Sequence, residues 1–342
     1  MWRKLQSVVV VGGMRDAIPR CMQHMPYLAA NSQAVTKPAH HRQRTVALDE
    51  TMAAGASIGT IVTTDESDYV LFETLGRGGM GEVRHAADLK RGRVVAIKSM
   101  HRSLARNPRL VAQFRNEGEM VASISHRNVV ALLNCFDQDD RHFLVFEYLR
   151  GRTLRECIID DAPFSRARFA AIAQQLTSAL AAVHRAGIVH GDIKSGNVLL
   201  TPGFVDERVK LIDFGLAHRV HGADGSAVPP FEIDRGISGT PGYMAPELMR
   251  GELSTYASDQ YALGVVLYEM LTGVHPFARE CADADVPLNP DADWRAIAPS
   301  LAAPDRCIDA AFDEVLLQML AKAPTERFVS VAQLQQSAPW RG

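Results

Sequence analysis

The sequence predicts an α+β chain folded as two lobes with a cleft between them. Three observations carry that expectation. The 342 residues amount to about two folded units at roughly 150 residues each. Short strand-like runs crowd the stretch from Tyr69 to Leu149, around one helical segment. Beyond Gly151 the chain turns mainly helical. Strands first and helices after set a small sheet-rich unit against a larger helical one, and ligands favour the crevice between such units.

Residues 1–65 read as a mobile N-terminal tail, 66–149 as the small lobe and 150–338 as the large one. The tail holds seven Lys/Arg and four Asp/Glu, a net of +3, so a chain of net charge −2 carries −5 in the remainder. From Ala29 to Thr64 it is rich in Ala, Ser, Thr, Gln and Gly and has no sustained period. In the small lobe the runs YVLFETLG, EVRHAADL, RVVAIKSM, NVVALLNCF and HFLVFEYL predict a five-stranded antiparallel sheet. Turns at Lys90-Arg91-Gly92 and Asp137 to Arg141 separate them, and a helix is expected from about Pro108 to Ile124. In the large lobe Phe169, Ile172, Ala173, Leu176, Leu180 and Val183 recur at i, i+3, i+4, i+7, i+11 and i+14, one apolar helix face.

Composition excludes several function classes. Hydrophobic residues at 47% and charged residues at 22% are globular values, against wholesale disorder. The near-neutral charge lacks the basic footprint of a nucleic-acid binder. The longest apolar run, Tyr261 to Tyr268, is far short of the ~20 residues of a spanning helix, so no stable membrane insertion is expected. The start MWRKLQSVVVVGG mimics a signal peptide, but Arg15 and Asp16 follow where small cleavage-site residues belong. Cys21, Cys135, Cys157, Cys281 and Cys307 are odd in number and form no CxxC pair. That argues against a disulfide framework or a thiolate zinc site, and for a reducing, cytoplasmic setting.

Four motifs carry chemistry. In GRGGMGEV, Gly76, Gly78 and Gly81 let backbone N–H groups approach an anion. A dinucleotide fold would continue as a helix with an acidic residue about 20 positions on; here a strand follows and His101-Arg102 stands there. A Walker loop is excluded because the chain has no Gly-Lys dipeptide. Second, Lys98 ends the apolar run VAIK, and its charge there needs partners such as a phosphate and a carboxylate. Glu117 is the expected carboxylate. Glu119 lies about 200° around the helix from it, while Val111, Phe114 and Val121 flank the Glu117 face. Third, HGDIKSGN supplies an acid, Asp192, then Lys194 and Asn197. Fourth, KLIDFG ends a strand in Asp213-Phe214-Gly215, an acid on a tight turn suited to a metal.

This ordered set resembles the eukaryotic-type (Hanks-type) bacterial Ser/Thr protein kinases. With Ala245-Pro246-Glu247 it covers about residues 69 to 336. The resemblance implies a bilobal kinase fold using ATP and Mg²⁺, with protein Ser/Thr side chains as acceptors. The loop from Gly76 to Gly81 would cover the phosphates. Lys98 would contact the α and β phosphates and pair with Glu117. Asn197 and Asp213 would hold Mg²⁺, and Asp192 would take or orient the acceptor proton. Leu75, Val83, Ala96 and Leu199 would surround adenine, Phe146 would be gatekeeper, and Glu147 to Leu149 the hinge. Val121, Leu132, His190 and Phe214 would stack as a spine between the lobes. Glu247 would pair with Arg327, and Asp259, placed just before an apolar helix, would hold the catalytic loop. Lys194 and Thr240 are the types that Ser/Thr-specific relatives use beside the catalytic Asp.

The chain departs from that pattern in places. Gly191 stands where the family usually has Arg, and HGD also occurs in small-molecule kinases resembling aminoglycoside and choline phosphotransferases. Those typically lack Ala-Pro-Glu and usually carry another residue at Lys194. A pseudokinase scaffold is the other rival, against which Lys98, Glu117, Asp192, Asn197 and Asp213 all speak. Gly191 cannot contact a phosphorylated activation loop, and only Ser226, Ser238 and Thr240 are acceptors there, so activity is expected to be independent of phosphorylation in that loop. Arg219 and Arg235 are the alternative clamp. Between Cys281 and Pro304 the chain is acidic and Pro-rich, where kinases often have a clear helix.

Overall fold

The computed structural model describes residues 60–65, 67–203, 207–220, 239–277 and 295–341. Within them the small lobe is a curled antiparallel sheet built from β1 (Thr60–Thr63), β2 (Asp68–Arg77), β3 (Gly81–Asp88), β4 (Arg93–Met100), β5 (Leu132–Gln138) and β6 (Arg141–Glu147). The spatial order is β1-β2-β3-β4-β6-β5. The sheet therefore has six strands where five were expected, and its first strand precedes the 65/66 boundary. Val62 pairs with Tyr69 and Ile61 with Val70. Val62 is buried in a core with Tyr69, Leu71, Val95, Ile97, Phe143 and Val145. One well-placed apolar side chain attaches this edge, which is why so polar a segment is in the sheet at all.

Burial alternates along β4. Val95, Ile97 and Ser99 are buried on one face, while Val94, Ala96 and Lys98 are half-buried on the other. Lys98 therefore shares a face with Ala96 and projects away from the core around Val95 and Ile97. Helix α1 (Pro108–Ala122) packs on this second face through Phe114, Met120 and Val121. It starts where Asn107 caps the Arg109 N–H and Pro108 fills the first turn. Met100, Phe114 and Leu144 fill the space between helix and sheet.

The large lobe begins with β7 (Arg152–Thr153) and α2 (Leu154–Asp161), joined by a Thr153/Glu156 capping box. Then come α3 (Arg166–Arg185), β8 (Ile188–Val189), β9 (Val198–Thr201), β10 (Arg208–Leu211) and β11 (His218–Arg219). Two small sheets, β10-β9-β7 and β11-β8, frame the segment from His190 to Asn197. The rest is helical: α4 (Pro246–Met249), α5 (Tyr256–Thr272), α6 (Pro299–Ala302), α7 (Ala310–Met319) and α8 (Val331–Ser337). Helix α5 is buried almost all round, as its mostly apolar sequence requires. It opens with a Thr255/Ser258 capping box, so Asp259 sits in its first turn rather than ahead of it. Trp340 closes the lobe against Phe169 and Phe312. Among the described residues no helix is long and apolar enough to cross a membrane. Ser226, Ser238 and Arg235, and the acidic stretch up to residue 294, lie outside the described residues.

Candidate active site

The cleft is assembled by strand register. Gly76 pairs with Val83, Val83 with Lys98, and Lys98 with Leu144. This ladder lays the glycine-rich turn beside Lys98. Within the turn Gly78 N–H donates to Gly81 C=O at 2.8 Å. Gly81 is required by the sheet itself: a Cβ there would stand 2.0 Å from the Ser99 carbonyl oxygen. Leu75, Val83 and Ala96 are half-buried; Leu199 is buried on β9, with Leu149 packed against the same core. Ala96 pairs with Phe146 on β6, next to Glu147.

Lys98 meets Glu117 on α1, its Nζ 2.6 Å from both Oε1 and Oε2. Asp213 Oδ1 lies 3.7 Å from the same ammonium. Burial alone would push the Lys98 pKa down, but Glu117 and Asp213 outweigh it and hold the ammonium above its ordinary value. Asp213 has a positive φ of 61° and accepts the Gly215 N–H at 3.3 Å, the tight turn expected after β10. Desolvation opposes its ionisation, yet Lys98, Lys194 and His190 keep its pKa below the usual carboxylate value. Its side chain is 47% exposed, toward the cleft. Gln113 and Asn116 of α1 donate to the carbonyls of Gly215 and Ala217, tying the helix to this turn.

The opposite wall is the loop after β8. Asp192 accepts from Lys194 Nζ at 2.6 Å and from Asn197 Nδ2 at 3.0 Å. The Thr240 hydroxyl lies 3.3 Å from Asp192 and 2.8 Å from Lys194 Nζ. With Asn197 Nδ2 spent on Asp192, its amide oxygen is the group free to face a cation. Asp259 on α5 accepts the His190 and Gly191 N–H groups at 2.8 and 2.9 Å and His184 Nε2 at 2.9 Å. Burial would raise the Asp259 pKa; His184 and His190 hold it low. Gly191 adopts φ +77°, and a Cβ there would approach the Leu216 carbonyl oxygen to 2.8 Å. A glycine is accommodated there without strain. His190 packs on Phe214 with ring centroids 4.6 Å apart and the planes tilted by 55°, and Val121 and Leu132 belong to the same core as Phe214.

The structure thus joins Lys98, Glu117 and Asp213 in one cluster and Asp192, Lys194 and Asn197 in a second. Some partners were not legible. Glu147 turns its carboxylate away from the cleft, onto buried Lys210 Nζ and the Ala131 N–H. Its own N–H donates to the Ala131 carbonyl oxygen at 3.0 Å. Lys210 alternates with buried Val209 and Leu211, a pattern that marks a strand but names no partner 63 residues away. Tyr243 links Ser195 to Glu269 through its hydroxyl, at 2.7 and 2.8 Å.

Comparison with known proteins decides the family. The family model for the protein kinase domain matches residues 69–340. The chain belongs to the protein kinase family. The serine/threonine-protein kinase pkn3 of Myxococcus xanthus is 32% identical over 261 residues, 76% of this chain and 47% of that protein. The serine/threonine-protein kinase PknB of Mycolicibacterium smegmatis is 34% identical over 278 residues, 78% and 42% of the two chains. PrkC of Bacillus subtilis is 32% identical over 269 residues, covering 78% and 39%. The chain spans less than half the length of these curated relatives. Among solved structures, the kinase domain of Mycobacterium tuberculosis PknI superposes with a TM-score of 0.59 at 25% identity, over 80% of this chain and 96% of that one. The bilobal α+β kinase fold expected from the sequence is the fold observed.

Proposed function

We propose that this chain is a Ser/Thr protein kinase, transferring the γ-phosphoryl of ATP to protein hydroxyls with Mg²⁺. One observation carries the reading: Lys194 bridges Asp192 and Thr240 at the cleft mouth, opposite the Lys98–Glu117 pair and Asp213. Asp213 and the Asn197 amide oxygen form a hard oxygen donor set suited to Mg²⁺, which keeps waters and phosphate oxygens as its other ligands. When bound, Mg·ATP supplies the transferred phosphoryl and neutralises its charge.

The chain's own residues do the rest. Lys98, kept protonated by Glu117, attracts the phosphates and fixes their position. Asp192, its carboxylate oriented by Asn197 and Lys194, orients the acceptor hydroxyl and takes its proton. Lys194 stabilises negative charge developing beside Asp192. Asp259 holds the loop that carries Asp192, so the acid keeps its place in the absence of substrate. The division into a small lobe starting near residue 60 and a large lobe from about 150 follows from the same elements. The free cysteines among the described residues, Cys135, Cys157 and Cys307, support a cytoplasmic setting.

The test is acceptor class. Purified chain with Mg·ATP should place phosphate on Ser or Thr of a protein acceptor and none on an aminoglycoside. Transfer to the aminoglycoside alone would replace this reading with the small-molecule one; transfer to neither would favour a scaffold.

A further inference from the structure

A second charged feature lies outside the cleft, at the open end of the curled sheet. Arg77, Glu82, Ser99, Met100, His101, Arg102 and Arg141 line a hollow of about 410 Å³. Three of its seven residues are arginines. Glu82 is the carboxylate in the lining, 3.7 Å from Arg77, so the lining carries a net charge of about +2 before His101 is protonated.

Arg141 is held as if to receive something. Its guanidinium sits over the Phe143 ring, 5.0 Å from the centroid, which fixes its plane. Its Nη2 makes a long 3.4 Å bond to Ser99 Oγ, and its buried Nε has no hydrogen-bond partner. A guanidinium offers five donors, and a buried unpaired one is costly. Burial, with Arg102 and Arg84 nearby, lowers its pKa, and Glu82 and Asp139 offset this only in part. Arg102 is exposed at the rim.

We propose that this hollow binds a phosphate monoester. A phosphate carries about −1.5 to −2 at pH 7, which matches the surplus charge; a carboxylate would neutralise half of it. Its three oxygens suit the guanidinium forks of Arg77, Arg102 and Arg141, which line the hollow. The phosphate comes either from a phosphorylated side chain of this protein or from a free phosphate compound. Arg77 and Glu82 lie on the two strands that flank the glycine-rich turn, and His101 Nε2 is 3.1 Å from the Gly78 carbonyl oxygen. Occupancy therefore bears on that turn. This consequence rests on the nucleotide reading; binding itself does not.

The experiment is calorimetric titration of full-length, phosphatase-treated chain with inorganic phosphate, beside a saturating Mg·ATP analogue that blocks the cleft. Wild type should bind saturably, and Arg102→Glu and Arg141→Gln should each weaken binding at least about tenfold, the loss expected for one charge-assisted contact. Arg102→Glu is exposed and should melt like wild type without phosphate, so a folding defect cannot mimic the result. Chain that was never phosphatase-treated separates the sources. If it carries a phosphorylated residue and takes up no free phosphate, the ligand is its own side chain; if it takes up phosphate, the ligand is free. Absence of saturable binding by treated wild type, or unchanged binding by Arg102→Glu, overturns the proposal.

Discussion

Two buried ion pairs, Arg327–Glu247 in the large lobe and Lys98–Glu117 in the small one, differ in what they leave unused. In the large lobe Arg327 meets Glu247 with both forks, at 2.6 and 2.8 Å, and its side chain is wholly buried. Its remaining donors go to the carbonyls of Ala321, Ala257 and Lys322. In the small lobe Lys98 also holds a buried glutamate, but its side chain is 17% exposed and a second carboxylate, Asp213, stands 3.7 Å away. A pair with every donor consumed can only fasten α4 to the segment after α7. A pair open to the cleft keeps charge that a ligand can use. Similar residue types are thus sealed in one place and open to a ligand in the other, and burial separates the two.

The sharpest way to break this contrast is to exchange the outcomes. Arg327→Ala strands a buried Glu247 carboxylate and should cost about 3–5 kcal/mol of stability, read by denaturant unfolding. A loss below about 1 kcal/mol would show that the sealed pair is not structural. Lys98→Met also leaves a buried carboxylate, Glu117, without its cation, so it should lower stability, though by less than Arg327→Ala because the pair opens to the cleft, and it should reduce phosphoryl transfer at least about a hundredfold, roughly 2.7 kcal/mol in the barrier. Substantial turnover by that variant with saturating Mg·ATP would remove Lys98 from the chemistry.

A half-buried carboxylate that meets a hydroxyl extends the comparison. Glu269 accepts the Tyr243 hydroxyl, and burial pushes its pKa up to about 7 against the pull of that bond and of Arg155. The folded state therefore binds its proton more tightly than the unfolded state. The stability this contributes is full below pH 4.5 and is lost as pH rises through about 7. Glu269→Gln should abolish that decline, a difference on the order of 2 kcal/mol between pH 5 and 8. Parallel stability–pH curves for wild type and variant would contradict it.

Motif-bearing residues were legible because phosphate and metal chemistry restricts residue type and spacing together. Glu117 could be chosen over Glu119 from helix phase alone, and Lys98 from its apolar run. Strand β1 was not legible: Thr60 to Thr63 is too short to show a period, and its place depends on Val62 meeting Tyr69 across the ladder. The Lys210–Glu147 clamp depends on the fold bringing distant residues together, which no local pattern encodes. Asp259 was assigned to its task but placed outside the helix that carries it, because the Thr255 cap starts α5 earlier than the apolar run does. The smallest expected effect tests the missed strand. Deleting residues 1–64 should cost about 1–2 kcal/mol more than deleting 1–59, the burial of Val62 and its edge, measured by thermal or urea unfolding of both truncations.

The central claim is that the cleft positions Mg·ATP and a hydroxyl acceptor and that Asp192 acts only on the latter. The most direct measurement follows binding and transfer together in Asp192→Ala. Affinity for a Mg·ATP analogue should stay within about threefold of wild type while transfer to a protein Ser or Thr falls at least about a hundredfold. Transfer near the wild-type rate, or analogue binding lost in step with transfer, would contradict it.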